Sequence, residues 1–216
     1  MNQQGVALLA GLVLMAAVSL LALSAASGMV LQRSMASNFQ ESMLALQNAS
    51  IASAYAQAWL FSRSDHERER GCQIDCLLPM AIHEGGTLPM NPEFESAAWW
   101  RNNAIPAGYN PATAQMEITP AQGAEPALWL IEEVHYESTG ETEHESHAGG
   151  QAFYRIVSRG TGLNARSVVV TETIVARPWE GDFSAGPYPP NGPVETFCRQ
   201  FDDVYACGHL AWRQTR

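Results

Sequence analysis

The chain has 216 residues and a formal net charge of −10, from 22 acidic and 12 basic residues. This charge argues against a nucleic-acid partner, because phosphate binding needs a basic face. Every basic residue is arginine. An active site that depends on a lysine Schiff base or on the lysine of a phosphate-binding loop is therefore excluded.

An uncharged apolar run of 26 residues, from Val6 to Leu31, dominates the N-terminal part of the chain. A helix needs about 20 apolar residues to span a bilayer, so this run is long enough. After Leu31, no proline or glycine occurs before Gly71. The sequence therefore predicts one continuous helix from about Val6 to Leu60, apolar in its first half and amphipathic in its second.

The start of this run has two interpretations. A secretory signal peptide has an apolar core of about 7–15 residues followed by a small-residue cleavage site. The sequence ALSAA at 22–26 is such a candidate site, and cleavage there would leave a secreted periplasmic domain. The apolar run is longer than a signal core, however, and a short polar leader that ends in Gly5 and is cut before Val6 fits better. On these residues the chain resembles a type IV prepilin.

Large apolar residues recur mainly at three- and four-residue steps through the second half of the predicted helix. They are Met35, Phe39, Met43, Leu46, Ile51, Tyr55 and Trp59. This stripe serves either as the wall of a globular core or as a surface that packs against other helices in a filament. The sequence favours core packing for Ile51 to Trp59.

The segment after the helix is predicted to be irregular. The charged sequence SDHERER at 64–70 ends the helix, and prolines and glycines are frequent up to residue 126. One short helix is predicted near 93–102. Its Trp99 and Trp100 either anchor the segment on a sheet or form an exposed recognition patch, and anchoring is favoured because aromatic side chains supply large buried areas.

Three later segments have the alternation or the β-branched composition that is typical of strands. They are residues 127–136, 151–159 and 166–176. Their order predicts an antiparallel meander, and only the N-terminal helix is long enough to cover its apolar face. In the second strand, Tyr154 and Ile156 are expected on one face, and Arg155 and Arg159 on the other.

The four cysteines, Cys72, Cys76, Cys198 and Cys207, allow three pairings. If the helix anchors the domain outside the cytoplasm, the local disulfides Cys72–Cys76 and Cys198–Cys207 are the simplest interpretation. A zinc site with four thiolate ligands is the alternative. The eight residues between Cys198 and Cys207 fit the usual ligand spacing poorly, so disulfides are favoured.

The stretch from His135 to His147 contains three histidines and four glutamates. A bound metal is one interpretation, but neither an H-E-x-x-H nor an EF-hand pattern occurs, so a solvated hairpin tip is favoured. The chain also lacks the G-x-S-x-G, P-loop and dinucleotide-binding motifs. The sequence therefore predicts no catalytic site, no metal and no cofactor.

A more specific resemblance lies in the sequence YRIVSRGTGLNARSVVVTETIVAR at 154–177, which is similar to the closing hairpin of the PilX group of minor pilins. The segment LQRSMASNFQESMLALQNA at 31–49 also resembles that group. Residues 63–125 and 178–216 carry no such match. The resemblance implies an α+β, pilin-like fold, in which a long N-terminal helix packs on an antiparallel β-meander and a disulfide closes the C-terminal loop.

The same resemblance implies a function in assembly and not in catalysis. The prepilin peptidase would cleave after Gly5, and Val6 would be N-methylated. The protein would be held in the inner membrane with its N-terminus in the cytoplasm and its domain in the periplasm. It would then join other minor pilins and the major pilin in a priming or tip complex that carries a large adhesin. A tip pseudopilin of type II secretion is the related alternative, which calcium ligands within 63–125 would favour.

Two features depart from the family pattern. Major pilins carry a glutamate at the fifth mature position, which is Ala10 here. A carboxylate in lipid is costly unless it is paired, so that glutamate draws each subunit to the free amine of a neighbour. Its absence suits a subunit at the filament tip. The leader also lacks the usual basic residue, and Arg33 on the far side of the apolar run opposes the usual charge bias.

The predicted organisation has six parts. They are a leader (1–5), the transmembrane half of the helix (6–31), its amphipathic half (32–62), an irregular αβ-loop (63–126), the antiparallel sheet (127–177) and a disulfide-containing C-terminal loop (178–216).

Overall fold

The computed structural model describes residues 3–64, 82–111, 113–116, 125–138, 150–164, 166–179 and 194–216. The predicted pair Cys72–Cys76 and residues 139–147 of the histidine- and glutamate-rich stretch lie outside these ranges. The chain divides into two compact units, Met1–Glu41 and Ser42–Arg216.

Three α-helices occur in the described residues: α1 (Gln3–Phe61), α2 (Ala97–Asn103) and α3 (Val194–Cys198). The single long helix that the sequence predicts is confirmed, because α1 has 59 residues without a break. Helix α2 lies in the region predicted to be helical. It begins later than expected, because Ser96 is its N-cap and accepts a hydrogen bond from the main-chain nitrogen of Trp99 at 3.1 Å.

The described strands form one large sheet and a small hairpin. They are β1 (His83–Glu84), β2 (Ile105–Pro106), β3 (Tyr109–Asn110), β4 (Gln115–Met116), β5 (Leu128–Ser138), β6 (Gly150–Thr161), β7 (Val168–Pro178) and β8 (Gly208–Gln214). Strands β5, β6 and β7 are the predicted antiparallel meander, which is therefore confirmed. The order of the large sheet is β1-β5-β6-β7-β8, β2 also pairs with β5, and β3 pairs with β4 in the small hairpin.

The C-terminal region contains more regular structure than the predicted loop. Strand β8 pairs with β7 in antiparallel register, and α3 is followed by a 3-10 helix over Arg199–Val204. The seven residues of β8, GHLAWRQ, mix polar and apolar side chains, so their own strand signal is weak. Hydrogen bonding to the exposed edge of β7 decides their conformation.

Small side chains line the face of α1 that packs on the sheet. Ala45, Ala49, Ala52 and Ala56 are fully buried and recur at four- and three-residue steps, followed by the buried Trp59. They face apolar side chains of the three central strands. These are Trp129, Ile131, Ala152, Tyr154, Ile156, Val169 and Val175.

The core packing predicted for Ile51 is wrong, because its side chain is 42% exposed. Tyr55 is half-buried beside the core, and Trp59 lies within it. The stripe of large side chains runs beside the contacting face of the helix. Four of the buried positions on the contacting face, 45, 49, 52 and 56, are alanines.

The opposite face of the sheet is also covered, which the sequence did not predict. A second apolar cluster lies there, formed by Leu88, Trp100, Leu128, Leu130, Val157 and Val170. Trp100 is fully buried and donates a hydrogen bond from Nε1 to the carbonyl oxygen of Pro92 at 3.0 Å. The predicted anchoring of this segment by a tryptophan is therefore confirmed, on the face away from α1.

Candidate assembly surface

The first part of α1 carries large apolar side chains on its surface. From Leu9 to Leu31 the described leucine, valine and methionine side chains are all exposed, and Phe39 is 69% exposed. Among the described residues, α1 is the one helix long and apolar enough to cross a membrane. Ala10 is also exposed within this segment. An apolar helix surface of this length requires lipid or other helices to cover it.

The structure separates the predicted stripe into two groups. Met35, Phe39 and Met43 are exposed, while Leu46 packs beside the buried Ala45 and Ala49. The three exposed side chains do not contribute to the core of this chain. Their packing against helices of other subunits stays a prediction.

The second half of α1 lies very close to the sheet at Gly160 of β6. A Cβ atom placed on Gly160 would overlap the main chain of α1 at Ala45 and Ala49 and would lie 2.9 Å from the carbonyl carbon of Asn48. Glycine is thus required here by close packing and not by its backbone angles. The Asn48 side chain donates from Nδ2 to the carbonyl oxygen of Thr161 at 2.7 Å, next to this contact.

A second polar contact fixes the helix farther along. The hydroxyl groups of Ser53 and Thr173 are 3.2 Å apart and buried, so they form a hydrogen bond between α1 and β7. Together with the Asn48 contact, it ties successive turns of α1 to two neighbouring strands. Both hydrogen bonds form only at one rotation of α1 about its axis and at one position of α1 along the strands. They therefore fix how the helix is placed on the sheet.

Arg177 of β7 caps the C-terminal end of α1. Its guanidinium donates from Nη1 to the carbonyl oxygen of Leu60 at 2.6 Å and from Nη2 to that of Arg63. The side chain is fully buried, and its guanidinium carbon lies 3.5 Å from the centre of the Trp179 ring. The last carbonyl groups of a helix have no intrahelical donor and carry a partial negative charge, so a cation here is favourable.

The C-terminal disulfide region packs at the same end of the helix. Cys198 and Cys207 form a disulfide with an S–S distance of 2.10 Å, which confirms that predicted pair. Phe197, next to the disulfide, contacts the ring of Phe61 edge-on at 5.2 Å between centroids. Gln151 of β6 donates from Nε2 to the carbonyl oxygen of Ala206 at 3.0 Å. The disulfide region is therefore joined both to the end of α1 and to the sheet.

A row of alternating charges crosses the opposite face of the sheet. Arg155 lies 3.1 Å from Glu132 and 2.9 Å from Glu172, and Glu172 lies 3.0 Å from Arg213. The row runs across β5, β6, β7 and β8. Glu132 also accepts a hydrogen bond from the main-chain nitrogen of Gly86 at 2.8 Å. The three inner charges are nearly buried, and each is paired, as burial of charge requires.

The described part of the histidine- and glutamate-rich stretch contains one ion-pair contact, between His135 and Glu137 at 3.3 Å. Both side chains are exposed. Within the described ranges no group of three or more histidine, cysteine, aspartate or glutamate side chains is placed to hold a metal ion. The rest of this stretch lies outside those ranges, so a metal site there is untested.

Sequence reasoning missed the residues that hold α1 to the sheet. The sequence does contain one signal for them, which is the recurrence of alanine at 45, 49, 52 and 56. The sequence gives no such signal for Arg177. Only the three-dimensional positions of the ends of α1 and β7 show that the Arg177 guanidinium reaches a helix terminus.

The chain matches the family described as type IV pilus assembly protein PilX, C-terminal, over residues 52–177. Neither a curated protein nor a solved structure matches the chain. The matched residues include the last turns of α1, helix α2 and the meander β5–β7.

Proposed function

The chain belongs to the PilX family of type IV pilus assembly proteins, and on this premise we propose that it is a minor pilin that acts as a structural subunit. Its action is to pack with other subunits through α1, with no turnover of a substrate. The observation that carries this proposal, beside the family match, is the continuity of α1. One helix contains an exposed apolar segment and an alanine face that is packed on the domain.

The apolar segment has two successive uses in this proposal. Before assembly it holds the subunit in the inner membrane, with the N-terminus in the cytoplasm and the domain in the periplasm. The Cys198–Cys207 disulfide supports this placement, because disulfides persist in oxidising compartments. After assembly the same segment packs against the helices of other pilins, where Met35, Phe39 and Met43 supply exposed apolar area.

The subunit is placed at or near the tip of the fibre, in a priming complex with other minor pilins. Ala10 supports this placement, because it offers no carboxylate to the amine of a subunit ahead of it. The further partners in this proposal are the major pilin, the prepilin peptidase and a large adhesin carried at the tip.

The processing step is tested by the mass and N-terminal sequence of the mature protein purified from membranes. The proposal expects a chain that starts at Val6 and carries one added methyl group. A Gly5→Leu variant, which blocks cleavage before Val6, should keep the leader and fail to support pili. A mature chain that starts near Ser27 would show an ordinary signal peptide and would overturn the proposal.

Placement at the tip has a separate test. An Ala10→Glu variant restores the acid of major pilins, and Ala10→Gln is its neutral control of similar size. If the missing acid confines the subunit to the tip, the Glu variant should raise the number of labelled subunits along each fibre, and the Gln variant should not. Labelled subunits spread along the length of the fibre in the wild type, as in both variants, would contradict the tip placement.

A further inference from the structure

Strand β8 lies at one end of the large sheet. It pairs with β7 on one side, and no other described strand pairs with its free side. The side chains of residues 209–214 are all exposed. In an antiparallel sheet, alternate residues of a strand direct their N–H and C=O groups toward opposite sides of that strand. The free side of β8 therefore presents main-chain donors and acceptors with which a further strand can pair.

The pairing of β8 with β7 is regular over the last part of the strand. Residues 211–214 face residues 174–171 in unbroken register, whereas Leu210 is left without a partner in β7. A bulge of this kind bends the strand that contains it and limits how much of an edge can accept a partner. The part of β8 that is regular enough to accept another strand is therefore 211–214.

The row of alternating charges ends on this regular part of β8. Its members lie on four successive strands, at distances of 3.1, 2.9 and 3.0 Å, and are Glu132, Arg155, Glu172 and Arg213. The side chain of Arg213 is 67% exposed, against 14% or less for the other three. Opposite charges at facing or diagonal positions of adjacent strands stabilise a sheet. A strand added beyond β8 would therefore continue the row with a negative charge.

Two cations share the carboxylate of Glu172. It accepts hydrogen bonds from Nε and Nη2 of Arg213 at 3.1 and 3.2 Å, and from Nε of Arg155 at 2.9 Å. Within the described ranges, Nη1 of Arg213 makes no hydrogen bond. The hydrogen bonds and the charge of Glu172 raise the pKa of Arg213, and the charge of Glu93 raises it further. Arg213 is therefore charged and has N–H donors left for a second carboxylate.

The neighbouring residue, Trp212, presents apolar area on the other face of the sheet. It lies opposite Thr173, whose hydroxyl group bonds to Ser53 of α1, so the indole is on the side of the sheet that carries α1. The Trp212 side chain is 50% exposed. Because side chains alternate between the two faces of a strand, a residue next to an acid opposite Arg213 would lie over Trp212. An apolar residue there would bury aromatic area that is now in water.

We propose that β8 binds an extended acidic segment of a partner protein as an additional strand of the sheet. An aspartate or glutamate of that segment pairs with Arg213, and the apolar residues on either side of it lie on the α1 side, where one covers Trp212. In this mode of recognition the main-chain hydrogen bonds provide affinity, and the side chains on the two faces select the sequence.

An extended segment fits this edge better than a free anion does. A free phosphate or carboxylic acid would meet Arg213 alone, and it would leave both the main-chain groups of β8 and the ring of Trp212 in water. A strand of the pattern apolar–acidic–apolar engages all three features at once.

The test uses the full chain in detergent micelles and three fluorescently labelled peptides. They are the acidic peptide Thr-Val-Glu-Val-Thr-Val-Thr, its neutral counterpart Thr-Val-Gln-Val-Thr-Val-Thr, and Thr-Val-Glu-Pro-Pro-Val-Thr. Fluorescence anisotropy measures their affinities. The acidic peptide should bind saturably, and the neutral one about fivefold more weakly, as expected for one exposed ion pair.

The third peptide tests the main-chain pairing. Proline has no N–H to donate, and with two adjacent prolines one of them falls on the side that pairs with β8. This peptide keeps the acid, yet it should bind at least about tenfold more weakly than the acidic peptide. Because all three peptides are compared on the wild-type chain, this part of the test does not depend on the folding of any variant.

Hydrogen exchange locates the bound peptide. Exchange of the main-chain amides in 211–214 should slow when the acidic peptide is bound, because the outward-facing amides gain hydrogen bonds. The turn between β6 and β7, which contains the exposed Arg166, should exchange at an unchanged rate.

Variants assign the two side-chain contacts. Arg213→Gln should remove the fivefold preference for the acidic over the neutral peptide, and the matched control Arg166→Gln should retain it. Trp212→Ser should weaken both peptides about fivefold and leave their ratio unchanged.

Three results would overturn the proposal. The first is the lack of saturable binding of the acidic peptide, or binding that leaves exchange in 211–214 unchanged. The second is equal binding of the acidic peptide and the proline peptide, which would show that the main chain of β8 takes no part. The third is a preference for the acidic peptide that persists in Arg213→Gln.

Discussion

Arg177 donates a hydrogen bond of 2.6 Å to the carbonyl oxygen of Leu60, a residue 117 positions earlier in the chain. The same guanidinium reaches the carbonyl oxygen of Arg63 and lies over the Trp179 ring. One side chain from the end of β7 therefore satisfies the end of the helix that carries the apolar segment. The attachment of α1 at this end therefore requires that β7 is formed as far as Pro178.

Loss of the Arg177 cap should destabilise the domain strongly. Arg177→Gln leaves buried carbonyl groups of the last helical turn without their donor, which costs about 1–3 kcal/mol for each such group. We expect a fall of roughly 2–4 kcal/mol in the free energy of unfolding. Denaturant unfolding followed by tryptophan fluorescence measures it. The exposed Arg166→Gln variant should unfold as the wild type does, and a similar loss in both variants would contradict the capping role.

Gly160 should not tolerate any side chain. In Gly160→Ala the new methyl group would meet the main chain of α1 at Ala45 and Ala49, which cannot move aside as a flexible side chain would. We expect a loss of about 1–3 kcal/mol, the usual cost of overpacking. Gly28→Ala is the matched control, because no atom lies within 4 Å of a Cβ at Gly28. Thermal melts of the two variants in the same detergent make the comparison, and equal melting temperatures would rule out the close contact.

The buried face of α1 is best tested by comparing neighbouring residues. Ala52→Leu adds three carbon atoms to a fully buried position and should cost about 1–3 kcal/mol. Ile51→Ala removes a side chain that is 42% exposed and should cost less than about 1 kcal/mol. Urea unfolding of both variants decides between the two faces. A larger loss of stability in the Ile51 variant than in the Ala52 variant would show that the stripe of large residues is the face that packs in the core.

Removal of the Cys198–Cys207 disulfide should lower stability by about 2–3 kcal/mol, the amount expected for a short closed loop. The Cys198→Ser, Cys207→Ser double variant is compared with the wild type under oxidising and reducing conditions. Reduction should lower the melting temperature of the wild type toward that of the variant. If the double variant melts at the wild-type temperature, the disulfide does not hold the C-terminal region in place.

His83 should make stability depend on pH. Burial lowers the pKa of His83 from its ordinary value of 6.5, and the charge of Glu132 opposes this shift only in part. The unfolded chain therefore binds the proton more readily than the folded one. The contribution of His83 is complete above pH 6.5 and is lost as the pH falls from there toward the lowered pKa.

The variant His83→Gln should remove this part of the pH dependence. Unfolding free energies between about pH 7 and 5 should fall less steeply in the variant than in the wild type. An identical slope in the wild type and the His83 variant would show that protonation of His83 is not linked to folding.

The sequence predicts the parts of this fold that have strong local signals. The 26-residue apolar run and the helix-favouring sequence after it predict α1 to within a few residues of its ends. The β-branched run that contains Val168 to Val170 predicts β7, and the alternation in 151–159 predicts β6. In these segments the pattern of side chains along the chain is enough, because the element is long.

Features that depend on distance between elements could not be predicted. The alanines of α1 add little hydrophobic signal, and the close approach of two of them, Ala45 and Ala49, to Gly160 depends on a residue of another element. The row of charges from Glu132 to Arg213 arises only when four strands lie side by side. Sequence reasoning placed Arg155 on the correct face but had no means to find the residues that pair with it.

The two sides of the helix–sheet contact are far apart in the sequence, so the ribosome synthesises them at different times. Asn48 and Thr161 are 113 positions apart. At a synthesis rate of roughly 5–20 residues per second, α1 leaves the ribosome roughly ten seconds before the strands that cover it. During that interval a leucine-rich helix face would expose a large apolar area to other chains, whereas an alanine face exposes little. The alanine face therefore exposes less apolar area to other chains than a leucine-rich face of the same length would.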